Sequence, residues 1–296
     1  MKSIVLYTPW GNRWKKSLTD AFNRAGIKAE WVPKNGSTIM PDAILSMWCN
    51  EFIFEIQDKY PGMKLYTFIR HYESFTDMPA YVNWDKIAGL FYCAPHVKDI
   101  CEYKWPGLRN VPSYIIPNWI DPDEFPFSPK PQGHKIAMIG RIHPAKLFPM
   151  AVQILAKLPS EYTIEVAGAN QDESMLFYMQ NILEDMNLID RFTFYGHVDD
   201  IHKFLSDKSY ILSTSMREGC PMNVLEAMST GLKPVIHNWL GSKQFIDSQY
   251  IFNTSEEACA IIQDIEYAPG KYRAIVEKNY GLQNAERLVS IINGTS

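Results

Sequence analysis

The chain has no long apolar run, no paired-cysteine motif and no large excess of either charge, and each absence closes off a class of protein. Among its 296 residues, no stretch approaches the eighteen or so apolar residues of a membrane span. The N-terminal MKSIVLYTPW reaches a proline too soon for the apolar core of a signal peptide. The cysteines (Cys49, Cys93, Cys101, Cys220 and Cys259) are odd in number and scattered, with no Cys-x-x-Cys. They read as reduced thiols in a cytoplasmic protein, not as disulfides or a zinc site. Net charge is −4, so whole-molecule attraction to nucleic acid or anionic lipid is not expected. Residues 1–125 hold 14 Lys/Arg and 14 Asp/Glu, which leaves 15 and 19 for the remainder, so the acidic excess lies in the second half. No Asp-x-Asp follows a predicted strand and there is no His/Cys cluster, so no metal and no cofactor are expected. Asp199 and Asp200 read as dipole partners at a helix start.

What is present is the composition of a globular protein, with no tract resembling a disordered tail. Short apolar runs alternate with helical stretches. Strands are predicted at Ser3–Tyr7, Lys28–Val32, Ala43–Met47, Leu65–Ile69, Gly89–Tyr92 and Tyr114–Ile116. Trp14, Leu18, Ala21, Phe22 and Ala25 share one helical face that Gly26 ends, and helices are predicted at Asn50–Lys59 and Ala94–Lys104. Alternation of this kind argues for a parallel, doubly wound sheet.

Five prolines between Pro117 and Gly133 exclude a helix or a central strand there, and the segment reads as an interdomain linker. Alternation then restarts with strands at Lys135–Ile139, Thr163–Ala167, Arg191–Tyr195, Tyr210–Thr214 and Pro234–His237. Helices are predicted at Phe148–Leu158, Met175–Met186, Asp199–Ser206 and Asn223–Ser229. The expected architecture is two Rossmann-like α/β domains, 1–125 and 126–296, with a cleft between them and the last helix packing back on the first domain.

The stretch Tyr210–Ile236 carries the most chemistry. An apolar strand enters a loop with Glu218 and Gly219, then a short helix that Gly231 terminates. Backbone amides at that helix start, around Asn223, Val224 and Leu225, can bind phosphate without any particular side chain. Glu226 stands one turn in, where a carboxylate can accept hydrogen bonds from a ribose diol. The competing reading, a solvated Glu218 and a Glu226 that caps the helix, is equally compatible with the spacing. A second loop, Gly140-Arg141-Ile142-His143-Pro144-Ala145-Lys146, follows a strand and bears two fixed cations that can compensate a diphosphate. Its alternative is a solvated loop.

These residues resemble the retaining GT-B glycosyltransferases (glycosyl transferases group 1, family 4-like). Glu218 and Glu226, with seven residues between them in an EG…EAM…G.PV context, match that family's signature, although Cys220-Pro221 stands where Phe-Gly is frequent. The resemblance implies that Glu218 contacts the donor sugar, that Glu226 holds the ribose, and that Arg141 and Lys146 clamp the diphosphate. Weaker echoes are Ile116–Asp121 with Phe125, Gly168, and Tyr195–Val198 with Asp200. Gly11, in Thr8–Asn12, stands where the family has a glycine loop facing the phosphates. His71, after the Leu65–Ile69 strand, stands near a histidine lining the donor-sugar pocket; as a sequence feature alone it equally suits polar surface.

The resemblance implies a metal-independent transferase that moves a hexose from a UDP- or GDP-sugar to a hydroxyl acceptor with retention. His71, Arg141, Lys146 and Glu218 would be its catalytic residues. The acceptor classes left open are glycan, lipid, protein or modified nucleic acid, the last disfavoured by charge. Lys15 and Lys16 raise a peripheral membrane contact. A sugar-nucleotide epimerase of the same fold and a catalytically silent nucleotide-sugar-binding module are the rival readings.

Overall fold

The structure, a computed structural model, describes residues 1–8, 13–32 and 40–295. In chain order the elements of the first half are β1 (Ser3–Tyr7), α1 (Lys15–Arg24), β2 (Lys28–Val32), β3 (Ala43–Ser46), α2 (Phe52–Lys59), β4 (Lys64–Ile69), α3 (Met78–Tyr81), β5 (Ile87–Tyr92), α4 (Pro95–Lys104) and β6 (Ser113–Ile115). The second half continues with β7 (Lys135–Ile139), α5 (Phe148–Lys157), β8 (Thr163–Ala167), α6 (Glu173–Asp185), β9 (Phe192–Phe194), α7 (Ile201–Leu205), β10 (Tyr210–Ser213), α8 (Met222–Thr230), β11 (Lys233–His237), α9 (Ser242–Phe245), β12 (Ile251–Phe252), α10 (Ser255–Gln263), α11 (Pro269–Tyr280) and α12 (Gln283–Asn293). The sequence reading places no element between His237 and the last helix, where the structure has β12 and three helices. The segment 117–133 holds no strand or α-helix, only a 3-10 turn at Pro122–Glu124.

The chain forms two compact units. One comprises Met1–Trp119 and the C-terminal segment from Tyr280, and the other Ile120–Asn279. Each is built on a six-stranded, wholly parallel sheet, as expected of the GT-B type. In the first, the strand order is β2-β1-β3-β4-β5-β6, so the winding reverses between β1 and β3. In the second, the order β12-β11-β10-β7-β8-β9 reverses between β10 and β7. Such a reversal opens a crevice at the carboxyl ends of the two strands, because their following loops leave in opposite directions.

The central strands are buried along most of their length, as strands of parallel sheets are. In the second unit Ile136, Ile164, Leu212 and Val235 pack against Ala151, Leu155 and Ile262 in one core. In the first, α12 packs on α1, where Leu288 and Val289 are buried and Arg24 pairs with Glu286 at 3.1 Å. Trp14, just ahead of α1, donates through Nε1 to the Trp119 carbonyl, and Trp119 returns a bond to Ser17 Oγ. All five cysteines are buried and free. Among the described residues, no helix is long and apolar enough to cross a membrane.

Candidate functional site

The winding reversal of the second unit brings two of the expected loops together. β7 runs into Gly140 and Arg141, and its neighbour β10 runs into Thr214 and Ser215. The loops are strapped to each other: Thr214 Oγ1 donates to the Lys146 carbonyl at 2.6 Å, and Met216 N to the Ala145 carbonyl at 2.9 Å. This backbone frame carries Lys146 to Glu218, 72 residues later, where Nζ and Oε1 lie 2.5 Å apart. Ser215 Oγ donates to the same carboxylate oxygen at 2.8 Å. His237 Nδ1 lies 3.1 Å from the Ser215 carbonyl, a pair in which only the ring nitrogen can donate. The Lys146 and Glu218 side chains keep 28% and 16% of their exposure, so Glu218 is not a solvated loop residue. An ammonium has three N–H donors, and one bond to Glu218 leaves two for a phosphate.

α8 begins beside this pair. Its residues Val224, Leu225, Ala227 and Met228 are buried in the core, and Gly231 closes it in the left-handed conformation at φ 102°. A Cβ on Gly231 would stand 3.1 Å from both Phe127 and Pro269. Asn223 Nδ2 donates to the Ile139 carbonyl, tying the helix start to the end of β7. Pro221 supplies no side-chain cap. Leu225 N donates to the Pro221 carbonyl, the first bond of the helix. The amide group expected at Asn223–Leu225 is therefore one residue earlier: Met222, Asn223 and Val224 precede that bond and carry the open N–H groups and the positive end of the helix dipole. Glu226 is the fifth residue of α8 and only 7% exposed.

Three glycines shape the floor of the loop bearing Arg141. Gly140 N donates to the Ala167 carbonyl and Gly168 N to the Gly196 carbonyl, so the ends of β7, β8 and β9 are stitched together. A Cβ on Gly168 would fall 1.9 Å from the Gly140 carbonyl oxygen, a position no side chain can occupy. Arg141 itself is exposed and enters no ion pair among the described residues. Asp121-Pro122-Asp123, an Asp-x-Asp in the Pro-rich segment, is a turn in which the Asp121 carboxylate accepts from Asp123 N at 3.1 Å. Among the described residues, no group of three or more His, Cys, Asp or Glu is disposed to hold a metal.

In the first unit His71 follows β4 directly, its ring 4.9 Å from Phe75 and 6.2 Å from the buried His96. The flanking charges are deeply held. The Arg70 guanidinium lies 4.0 Å above Trp14, 4.5 Å from Phe68 and 5.1 Å from Trp48, and it also donates to Asn118 Oδ1. Glu73, 2% exposed, accepts from Cys49 N and Arg70 N, each at 3.1 Å. Burial pushes its carboxyl up to about 7, against the opposing pull of Arg70 and the backbone donors. Gly11 lies outside the described residues. Thr214, Ser215 and Met222 were not singled out from sequence. The Ser-Thr-Ser run directly after a strand was the available signal for the first two.

A crevice at a winding reversal, with a helix N-terminus and two cations beside it, is an arrangement in which α/β proteins can bind phosphate. The family model for glycosyl transferases group 1 matches residues 121–279, more than half the chain and nearly the whole of the second unit. The chain belongs to that family. It is similar to an uncharacterized glycosyltransferase of Haemophilus influenzae, 26% identical over 143 residues, covering 47% of this chain and 39% of the relative. It is equally similar to the UDP-Gal:alpha-D-GlcNAc-diphosphoundecaprenol alpha-1,3-galactosyltransferase of Escherichia coli, 26% identical over 153 residues, covering 46% and 39%. These matches thus span well under half of the relatives' length. In fold, the chain resembles HepE of Anabaena, crystallised with UDP and glucose, at a TM-score of 0.78 and 13% identity over the full length of both chains.

Proposed function

We propose that the chain is a glycosyltransferase that takes its sugar from a UDP-linked donor and transfers it to a hydroxyl acceptor with retention. The observation that carries this reading is the meeting of Lys146, Glu218 and the open N-terminus of α8 at the winding reversal of the second unit. The α8 amides and Lys146 hold the diphosphate, Arg141 swings its guanidinium onto it from the same loop, and Glu226 accepts from the ribose hydroxyls. Glu218, already bonded to Lys146 and Ser215, faces the donor sugar. UDP is preferred to GDP because the Escherichia coli relative is named for UDP-Gal and HepE was crystallised with UDP.

As the glycosidic C–O bond breaks, negative charge grows on the leaving phosphate oxygen, where preorganised cations stabilise it without reorganising. The same oxygen, on the same face of the sugar, takes the proton of the acceptor hydroxyl. No divalent metal is required, since Arg141 and Lys146 supply the compensating charge.

Titration of UDP by calorimetry tests the donor site. Glu226→Ala is expected to weaken binding by about 1.5–3 kcal/mol through lost charge-assisted hydrogen bonds, with the fold intact. Unchanged affinity would refute the ribose role. His71→Ala is expected to lower turnover of the sugar donor far more than affinity for UDP, and equal losses would make His71 structural.

A further inference from the structure

β11 ends at His237, one residue past Ile236, which pairs with Ser213 of β10. The main chain is fixed there on both sides. His237 pairs with Phe252 of β12, Asn238 N donates to the Phe252 carbonyl, and Trp239 N donates to the His237 carbonyl. Side-chain bonds from Ser242 to Asn238 at 2.9 Å and from Asn238 to Asn253 at 2.8 Å brace the following turn. The imidazole is half-buried, with the Phe252 ring 5.5 Å away. It leaves a rigid strand end in a set direction.

That direction leads to the chain leaving β10, where Nδ1 stands 3.1 Å from the Ser215 carbonyl. A carbonyl oxygen only accepts, so the ring carries a proton on Nδ1. On the other side of the same peptide, Met216 N donates to the Ala145 carbonyl at 2.9 Å. A peptide unit is planar, and bonds at its two opposite edges fix its rotation. Ser215 is 2% exposed and carries a further bond, from Oγ to Glu218 Oε1 at 2.8 Å. Lys146 Nζ reaches the same oxygen. Ser213 Oγ donates to Ser215 Oγ at 3.4 Å. One staggered torsion separates a serine hydroxyl from its backbone, so the turn of the peptide decides where Oγ points.

We propose that His237 is a positioning residue for Glu218: by clamping the 215–216 peptide, it aims Ser215 Oγ at the carboxylate that faces the donor sugar. It acts through Ser215. The proposal rests on the glycosyltransferase reading for the role of Glu218, but the bond from His237 does not.

The test uses the full chain, calorimetry with UDP, and hydrolysis of UDP-galactose and UDP-glucose followed as UDP release. His237→Phe keeps a ring beside Phe252 and removes the donor. It should lower the turnover number by about 10–100-fold, as misplacement near a reacting centre does. Affinity for UDP, which has no sugar for Glu218 to face, should stay close to wild type, as should KM. His237→Asn places an amide N–H near the position of Nδ1 and should recover most of the loss. Ser215→Ala should cost as much as His237→Phe, and the double variant no more than either, because residues on one path are not additive. In the wild type, long-range proton–nitrogen NMR should show the neutral ring protonated on Nδ1. Any of five results would overturn the inference: full turnover in His237→Phe, equal losses of turnover and UDP affinity, His237→Asn no better than His237→Phe, additive losses, or a ring protonated on Nε2. A wild-type chain that neither binds UDP nor hydrolyses either donor would instead strike the proposed function. The tautomer is read without ligand, so the two failures are separable.

Discussion

The two units place charge at their strand ends in opposite ways. In the second, Lys146 and Glu218 pair where each still reaches water, and Arg141 on the same loop is exposed. In the first, Arg70 is sandwiched among aromatic rings and Glu73 is sealed beneath two backbone donors. A partly exposed pair can exchange a partner for a ligand oxygen, because water still reaches both groups and offsets the loss. Groups held as Arg70 and Glu73 are cannot, since giving up a partner leaves a buried polar group unsatisfied. The difference separates charges poised for a ligand from charges that hold loops in place, and it explains why only the former are candidates for chemistry.

The largest effect expected from this contrast is on rate. Lys146→Ala and Arg141→Ala should each lower turnover of a labelled UDP-sugar by about 10²–10³-fold. Arg141→Lys should recover only part of the loss, because lysine lacks the planar two-pronged donor. Near-normal turnover in both alanine variants would erase the distinction between the units.

A smaller effect concerns the backbone beneath the cations. Gly168→Ala drives a methyl into the Gly140 carbonyl, and displacing that backbone should cost about 1–3 kcal/mol, as overpacking does. Urea denaturation measures it, and UDP affinity should fall alongside, because Arg141 is carried by the shifted strand end. An unchanged denaturation midpoint would mean that the stitching of β7, β8 and β9 is not needed.

The smallest effect belongs to the buried carboxylate. With its folded pKa raised from 4.5 to about 7, mainly by desolvation, Glu73 keeps a proton that the unfolded chain releases. Its contribution is complete below pH 4.5 and is lost as pH rises through 7, at up to about 1.4 kcal/mol per pH unit. Thermal midpoints of the wild type should therefore decline more steeply between pH 5 and 7.5 than those of Glu73→Gln. Equal slopes would show that Glu73 does not titrate there.

Much of this was legible in the sequence, unevenly. Ser3–Tyr7, Lys28–Val32, Lys135–Ile139 and Thr163–Ala167 are strands with the bounds read from them, and for the first and third a short apolar run framed by polar residues leaves little choice. Beyond His237 the signal fades: α9 and β12 are four and two residues long, shorter than any periodicity can mark. α11 buries Tyr272, Val276 and Tyr280, a four-residue spacing too sparse to stand out beside its charged residues. Lys146 and Glu218 were each found by local context, but their pairing depends on β7 lying next to β10, which only topology decides. The pocket lined by Trp48, Asn50, Tyr72 and Tyr81 had no local sign at all. Its walls, 22 residues apart at Asn50 and Tyr72, meet because β3 pairs with β4 and Glu73 binds across the gap.

In the proposed mechanism the diphosphate is held in the second unit by the chain's own cations. Calorimetric titration of UDP in excess EDTA, on the wild type and on Lys146→Ala, probes this without any catalytic step. Wild-type affinity should be unaltered by EDTA and strongly reduced by the substitution. Binding that vanishes in EDTA and returns with Mg²⁺ or Mn²⁺, or that survives Lys146→Ala intact, would contradict it.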